Sequence, residues 1–169
     1  ARLVALPKEP TKPRPIAVGE VFLKIASTVM LERVHSSARK IFDGMQLGVC
    51  ESRGAEKIVH NMRKWFEDGV RGQTDCALCT LDCTNAFNAL SRLSIVKALA
   101  RHRELKSLTP LFDLEYGQHT TLYYKDGDVM SRSGVRQGSV LGPFWFALAT
   151  ADDMRTALAP FGDVKALAY

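Results

Sequence analysis

The chain has 169 residues, 46% of them hydrophobic, which is enough to form the core of one domain or part of one. Its net charge is +5, with 23 lysines and arginines against 18 acidic residues, a balance that suits either contact with nucleic acid phosphates or simple solubility. Four cysteines without disulfide-like spacing point to a reducing compartment, and the sequence has no signal-peptide pattern and no apolar run of about 20 residues that could span a bilayer.

The first element is a basic arm, Leu6-Pro-Lys-Glu-Pro-Thr-Lys-Pro-Arg-Pro-Ile16. Its prolines stiffen an extended backbone, so that Lys8, Lys12 and Arg14 would present their charges to phosphate groups without forming a helix. Residues 1 to 40 as a whole hold eight lysines and arginines against three glutamates. A basic, proline-rich arm is also a common form of solvated linker.

Two helices are predicted next. Apolar residues at helical spacing predict the first from about Glu20 to Lys40. The apolar side of the second helix, which ends at two glycines, consists of Ile58, Met62, Trp65 and Phe66. We expect this side to lie in the core, although Trp65 could instead stack on a nucleic acid base.

An apolar segment then leads directly into a carboxylate. Leu78, Thr80 and Leu81 favour a half-buried strand over residues 77 to 82, which would hold Asp82 at a rigid strand end. Carboxylate oxygens at such a place could bind a hard cation with little reorganisation. Phe87, in the turn that follows, would face the same opening. Alternatively, Asp82 caps the next helix, since Asp is a preferred N-cap residue.

The cysteines around this strand do not predict a zinc site. Such a site usually needs four ligands in two paired clusters, and a strand would place Cys76 on the face opposite to Cys79 and Cys83. We interpret all four cysteines, including Cys50, as buried free thiols. The four histidines have no ligand spacing and are interpreted as surface or satisfied core residues.

The middle of the chain predicts further helices and one hairpin. Ser91 is the expected N-cap of a helix over residues 92 to 103, and Thr109-Pro110 is expected to open another. Strand-forming residues lie on both sides of Asp126-Gly127, a dipeptide that strongly favours a tight turn, so residues 120 to 131 are predicted to form a hairpin.

A glycine-rich loop, Gly134-Val-Arg-Gln-Gly-Ser-Val-Leu-Gly-Pro143, precedes a long apolar helix. Glycines let a backbone approach a ligand or another chain closely, and Gln137 offers both a donor and an acceptor. The helix is predicted to continue to Leu158. Its Asp152 and Asp153 point about 100° apart and are expected to face solvent rather than to bind a metal.

Taken in order, these segments resemble the motifs of reverse transcriptases, and most of all those of non-LTR retrotransposons. The matching segments are Arg14-Pro-Ile16, Asp82 with Phe87, and Gln137-Gly138 with Gly142-Pro143. Further matches, at Gln46-Leu-Gly-Val49, Gly54-Ala-Glu56 and Val164 to Tyr169, extend the resemblance across nearly the whole chain. Within that group, the nearest subgroup is expected to be a site-specific element of the trypanosomatid type.

The resemblance implies an RNA-directed DNA polymerase that uses two Mg²⁺ ions. It assigns catalysis and metal binding to Asp82, triphosphate contacts to Lys8, Lys12 and Arg14, packing under the nucleotide sugar to Phe87, and seating of the nucleotide against the template to Gln137 and Gly138. The implied partners are an RNA template, a DNA primer, deoxynucleoside triphosphates and the missing C-terminal part of the parent polypeptide. A membrane partner is not expected, and the parent element is expected to act in the nucleus.

The implied fold class is α+β, the fingers and palm of a right-hand polymerase with helices packed on a small antiparallel sheet. Residues 1 to 75 would be the basic, mostly helical fingers-like part, and residues 76 to 169 the palm-like part, with the thumb outside the chain. The sheet would contain the strands 77 to 82 and 164 to 169 beside the hairpin. The assignment requires these two strands to run side by side, with Asp82 facing the crevice of the glutamine loop.

The family pattern continues from a strand such as residues 164 to 169 into an Asp-Asp pair that completes the two-metal site. Because this sequence stops at Tyr169 and opens on Ala1, we expect a fragment without polymerase activity of its own. Two alternatives remain: a degenerate or domesticated RNA-binding fragment without chemistry, and an untranslated genomic remnant.

Overall fold

The computed structural model describes residues 1 to 9, 12 to 42, 44 to 72, 75, 77 to 125 and 127 to 169, without the side chains of residues 8, 9 and 12. In chain order, the elements are strands β1 (Arg2–Glu9) and β2 (Lys12–Val18), helices α1 (Val21–Phe42), α2 (Gly54–Gly72), α3 (Ala86–Ala89) and α4 (Arg92–Arg101), a 3₁₀ helix (Arg103–Leu108), α5 (Thr109–Tyr116), strands β3 (Thr120–Tyr124) and β4 (Gly127–Ser131), and α6 (Gly142–Leu158).

The predicted helices and the predicted hairpin are confirmed. Helix α1 follows the apolar spacing, α5 and α6 each carry a proline in their first turn, and β3 and β4 pair in register from Thr120–Ser131 to Tyr124–Gly127. Ser91 does occupy the N-cap of α4, but its side chain makes no capping hydrogen bond. Helix α4 ends two residues earlier than predicted, because the backbone tightens into the 3₁₀ helix.

The four-stranded sheet differs from the predicted one. Its order is β2-β1-β3-β4, with two antiparallel hairpins joined by a parallel contact between Arg2 and Tyr123. The sheet is therefore mixed, and half of it comes from the basic arm. Strand β2 can contain Pro13 and Pro15 because it lies at the sheet edge, where a missing N–H need not break the ladder.

The predicted strands 77 to 82 and 164 to 169 are wrong for this structure. Residues 77 to 83 have no regular secondary structure, and the terminal segment contacts a different part of the chain. Ala168 forms a parallel bridge with Gln46: its N–H donates to the Met45 carbonyl at 2.7 Å, and its own carbonyl accepts from the Leu47 N–H at 2.8 Å. Residues 77 to 83 have no neighbouring strand to pair with, so their peptide groups form no β-sheet hydrogen bonds and are solvated instead.

The hydrophobic core lies among the helices. It is formed by the second half of α1, α4, the 3₁₀ helix, α5, α6 and two residues of the segment between β4 and α6, Val135 and Leu141. Within the described chain no strand residue belongs to this cluster. At its centre Trp145 is fully buried, with its ring edge-on to Phe112 at 5.5 Å and to Phe144 at 5.3 Å between centroids. The fold is α+β in its elements, and its main hydrophobic core lies among the helices rather than between helices and sheet.

Helix α2 does not bury its apolar side, contrary to prediction. Trp65 is 39% exposed and Phe66 is 60% exposed. With Met62 and Leu78 they line an open groove of about 450 Å³. The amphipathic pattern of α2 therefore predicted the helix correctly, but it did not predict whether other elements cover the apolar side. Among the described helices, none combines the length and the hydropathy that a membrane span requires.

The cysteines are free thiols where the structure describes them. Cys50 is half-buried, and burial raises the pKa of its thiol, whereas Cys79 and Cys83 are exposed. The predicted burial is thus wrong for the latter two, because the strand that would have buried them does not form. Cys76 lies outside the described residues.

Asp152 joins α6 to the end of α4. One of its carboxylate oxygens accepts from Arg101 at 2.9 Å and lies 3.3 Å from His102 Nε2, while the other accepts from Arg155 at 3.2 Å. Burial by itself raises the pKa of this carboxyl, but the hydrogen bond from Arg101 and the attraction of His102 outweigh it, and the net pKa is lowered. Solvent exposure was correctly predicted for Asp153 and wrongly for Asp152.

Asp152→Asn is expected to reduce the free energy of unfolding by about 1 kcal/mol, because the lost charge-assisted bonds are partly screened by solvent. The lowered pKa means that the contribution is present above the ordinary Asp pKa and is lost as pH falls through the lower folded value. Urea titrations from pH 7 to pH 2.5 would measure it. Asp153→Asn is the matched control, and an equal effect of the two variants at pH 7 would contradict the role of Asp152.

Candidate nucleotide-binding site

The glycine loop lies against strand β2, which carries the Arg-Pro-Ile motif. The Ala17 N–H donates to the Gln137 carbonyl at 2.7 Å. Gly138 has φ of +106°, and a Cβ there would stand 2.7 Å from the Ala17 carbonyl oxygen, so a side chain would force the two segments apart. Arg14 lies three residues upstream on the same strand and is exposed. Two of the three predicted motifs are therefore adjacent.

The turn that carries Phe87 contacts the other end of the same loop. The Phe87 carbonyl accepts from the Val135 N–H at 2.8 Å, and the Leu90 carbonyl accepts from the Gly134 N–H at 3.1 Å. Gly134 has φ of +67°, and a Cβ there would stand 2.5 Å from the Phe87 carbonyl oxygen. The half-buried Phe87 ring packs on Phe146 of α6, with 5.5 Å between centroids. All three segments thus meet at the loop.

The side chains of Lys8 and Lys12 lie outside the described part. The backbone of both is described: Lys8 belongs to β1, and Lys12 begins β2 and pairs with Glu9. Gln137 is partly exposed and Gly138 is exposed, so both face solvent beside the strand that carries Arg14. The three basic residues therefore belong to one hairpin next to the glycine loop.

Asp82 is exposed, in the irregular segment that precedes α3. The helix-capping alternative does not apply to it, because the N-cap of α3 is Asn85, a left-handed residue with φ of 56° whose side-chain oxygen accepts from Asn88. The required pairing of strands 77 to 82 and 164 to 169 is not present. The structural condition stated for the polymerase assignment is therefore not met, and the assignment rests on sequence resemblance alone.

The described residues do not form a complete magnesium site. No three His, Cys, Asp or Glu side chains among them converge closely enough to hold a metal ion. A two-metal site needs several ligands around ions roughly 3.5–4 Å apart. Asp82 could supply one oxygen ligand, so this arrangement does not by itself fit the two Mg²⁺ ions that the family resemblance implies.

A buried cluster that the sequence did not reveal holds the glycine loop in place. The Arg136 N–H donates to the Tyr116 hydroxyl at 3.1 Å, and its guanidinium donates to the Glu115 carbonyl at 2.5 Å and to the Thr120 hydroxyl at 2.7 Å. Arg92 donates to the Gly134 carbonyl at 3.0 Å. The loop is thus fixed to α4 and α5 on both sides of Val135.

Tyr116 lies between two cations at the centre of this cluster. The guanidinium carbons of Arg92 and Arg136 are 5.0 Å and 5.3 Å from its ring centroid, distances typical of cation–π contacts. Burial, followed by the nearby Glu115 charge, raises the pKa of Tyr116 to about 12. The phenol therefore stays neutral near pH 7. The sequence signal that could have indicated the cluster is Arg136, the one charged residue of the glycine loop.

Glu115 is 5% exposed and completes the contacts of the loop. The Ser139 hydroxyl lies 3.1 Å and 3.0 Å from its two carboxylate oxygens. Burial raises the pKa of this carboxyl, against the opposing effect of the Ser139 hydrogen bond. The carboxylate is directed at the loop rather than at solvent, so it stabilises the backbone that carries Gln137.

Gly138→Ala is expected to lower the free energy of unfolding by about 2 kcal/mol and the melting temperature by about 4–8 °C, since the new Cβ meets strand β2 at a strained φ. Gly162→Ala is a matched control, because a Cβ there meets nothing within 4 Å. Thermal melts followed by circular dichroism would measure both. Equal melting temperatures would contradict the close contact between loop and strand.

Comparison with known proteins finds similarity to proteins of retrotransposable elements. Over an alignment of 172 positions that covers 99% of the chain, it is 34% identical to the retrotransposable element SLACS 132 kDa protein of Trypanosoma brucei gambiense. Over an alignment of 178 positions that covers 96% of the chain, it is 26% identical to the retrovirus-related Pol polyprotein from type-2 retrotransposable element R2DM of Drosophila melanogaster. The chain spans 14% of the first protein and 16% of the second. No family model and no solved structure matches it.

Proposed function

We propose, from the premise that the chain belongs to the reverse transcriptase-related proteins of non-LTR retrotransposons, that it is the fingers and palm part of an RNA-directed DNA polymerase. The observation that carries the proposal is the 34% identity to a retrotransposon protein across 99% of the chain. We further propose that the parent element is of the site-specific trypanosomatid type, in line with the higher identity to the trypanosome protein.

The proposed reaction is attack of a primer 3′ hydroxyl on the α-phosphate of a deoxynucleoside triphosphate, with pyrophosphate as the leaving group. Arg14, assisted by Lys8 and Lys12, neutralises the phosphate charge that a bound nucleotide brings. Phe87 packs under the sugar, where it would sense a 2′ hydroxyl. Gln137 and Gly138 hold the nucleotide against the template base.

Two contacts support a shared nucleotide site. The bond between Ala17 and Gln137 keeps the strand of Arg14 beside the glycine loop, and the bond between Val135 and Phe87 keeps the aromatic turn at its other end. A nucleotide has a triphosphate, a sugar and a base, and these three segments offer a cation, an aromatic ring and an amide. Proximity of complementary groups is the main contribution a phosphoryl-transfer enzyme makes through its side chains.

Magnesium is proposed as the metal, with Asp82 as one of its ligands. The other carboxylates must come from outside the arrangement described here, and by the family resemblance they form an Asp-Asp pair. Bound Mg²⁺ supplies charge neutralisation at the reacting phosphate. We also propose an RNA template and a DNA primer as partners, dependence on further parts of the parent polypeptide, inactivity of this chain alone, and action in the nucleus.

The second candidate is RNA binding without chemistry. The exposed Arg14 and the basic hairpin that carries it favour this reading, because phosphate contacts by cations need no catalytic carboxylate. It predicts RNA binding that weakens steeply with salt and is unaffected by Asp82→Ala.

Primer extension by the full-length polypeptide of the open reading frame tests the proposal. With an RNA template, a DNA primer, deoxynucleoside triphosphates and Mg²⁺, we expect extension that stops when EDTA is added. RNA binding in a gel-shift assay without any extension would overturn the polymerase proposal in favour of the RNA-binding alternative. The 169-residue chain, assayed alongside, is expected to show no extension.

A further inference from the structure

A small cavity of mixed polar and apolar lining lies between the first half of α1 and the glycine loop. It encloses about 10 Å³ and is lined in part by Lys24, Ser27, Glu115, Arg136 and Ser139. The cavity is therefore bounded by α1, α5, the glycine loop and, through Ala17, strand β2. Because its lining includes Arg136 and Gly138, the two neighbours of Gln137, its contents are relevant to the shape of the loop.

Two buried polar atoms at this cavity have no hydrogen-bond partner in the described chain. Ser27 is 1% exposed, and its hydroxyl is unpaired although α1 is otherwise regular. The Nε of Arg136 is likewise buried and unpaired, while its Nη2 donates to the Glu115 carbonyl and the Thr120 hydroxyl. Unpaired buried polar atoms are rare in folded proteins, and of the three in the described chain two lie at this one cavity, the third being Trp145 Nε1 in the core.

We infer that this cavity binds one ordered water molecule, held by Ser27, Arg136 and Glu115. The volume of about 10 Å³ corresponds to about one water molecule. Buried waters typically make about three hydrogen bonds, and the cavity offers a hydroxyl, an N–H donor and a carboxylate acceptor.

The chemistry of the lining selects water over a cation. The Arg136 Nε–H is a donor on a positively charged group, so it needs an acceptor and repels a metal ion. Lys24 adds positive charge at the same cavity, against the carboxylates of Glu115 and Glu20. Water can accept from Arg136 and donate to Glu115 at once, which a cation cannot do.

The consequence is a link between α1 and the residue that precedes Gln137. The Gln137 carbonyl binds strand β2 through Ala17, and α1 begins shortly after that strand. A water between Ser27 and Arg136 would therefore stabilise the glycine loop on the side that faces α1. Ser27 is a positioning residue in this arrangement, and the inference does not depend on polymerase activity.

The direction in which Ser27→Ala changes the melting temperature tests whether the cavity binds a water molecule. If the Ser27 hydroxyl binds water, Ser27→Ala should lower the melting temperature by about 2–4 °C relative to Thr28→Ala. Thr28 is the matched control, since its exposed hydroxyl donates only to the Lys24 carbonyl of the same helix at 3.0 Å. If the hydroxyl is unpaired, its removal relieves a buried polar group and the melting temperature of Ser27→Ala should equal or exceed that of the control, which would overturn the inference.

A crystal structure of the 169-residue chain that shows ordered solvent gives a direct test. The expected result is density for one water within hydrogen-bond distance of both Ser27 Oγ and Arg136 Nε. An empty cavity, or a direct hydrogen bond between those two atoms, would overturn the inference. Neither result bears on primer extension, so failure of this inference is distinguishable from failure of the proposed function.

Discussion

Replacement of Asp82 by alanine in the full-length polypeptide is expected to reduce primer extension by about 10³-fold or more. If Asp82 is a magnesium ligand, its loss removes several kcal/mol of charge stabilisation at the reacting phosphate, and each 1.36 kcal/mol is a factor of about ten in rate. Because Asp82 is exposed and outside the hydrophobic core, folding should be unaffected. Steady-state extension on an RNA template measures the effect.

The matched control for Asp82→Ala is Asp153→Ala, which removes an exposed carboxylate from α6. This variant should retain extension within about twofold, since surface substitutions away from a site have small effects. RNA binding should be the same for both variants and the wild type. If Asp82→Ala extends the primer as well as the wild type does, the proposed role of Asp82 in the catalytic site is contradicted.

The largest effect on stability is expected for Trp145→Ala. Trp145 is fully buried between Phe112 and Phe144, and truncation of a buried aromatic costs about 3–5 kcal/mol through lost burial and the cavity left behind. Domains of this size are stable by only about 5–15 kcal/mol. The melting temperature should therefore fall by about 6–20 °C, as measured by near-ultraviolet circular dichroism.

Trp65→Ala provides the control for Trp145→Ala, because it deletes the same side chain from a half-exposed position on α2. Its expected effect is below about 1 kcal/mol. If Trp65→Ala lowers the free energy of unfolding as much as Trp145→Ala does, the apolar side of α2 packs in a core after all. In that case the arrangement of α2 described above would be wrong.

The sequence predicted elements whose signals are local. Apolar spacing indicated α1, the proline after Thr109 indicated the start of α5, and Asp126-Gly127 indicated the hairpin of β3 and β4. Each signal depends on neighbouring residues within a few turns of backbone, so tertiary contacts did not need to be known. The three motifs, around Arg14, Phe87 and Gln137, could also be recognised in chain order from the sequence alone.

Strand pairing was not predictable because it depends on distant partners. The composition of residues 77 to 82 favours a strand, yet a strand forms only where another segment offers its peptide groups. The terminal segment bonds instead to the backbone around Gln46, through Ala168. The basic arm, which the prolines indicated as extended, pairs with itself as β1 and β2.

The candidate site was only partly predictable, because some of its contacts also join residues that are distant in the sequence. Arg14, Phe87 and Gln137 were found from motif residues, and the structure brings their segments to one loop. The supporting residues Glu115 and Tyr116 lie about twenty positions from Arg136 and look like ordinary helix residues in sequence. Only their side-chain contacts in three dimensions show that they hold the loop.

The most direct test of the central claim is to locate a bound nucleotide. The full-length polypeptide would be irradiated with an azido-labelled deoxynucleoside triphosphate on a primed RNA template, and the modified peptides would be identified by mass spectrometry. We predict labels within residues 8 to 16, at Phe87 and within residues 134 to 139, all suppressed by excess unlabelled nucleotide. Suppressible labelling confined to other segments, such as α2, would contradict the claim that these three segments form the nucleotide site.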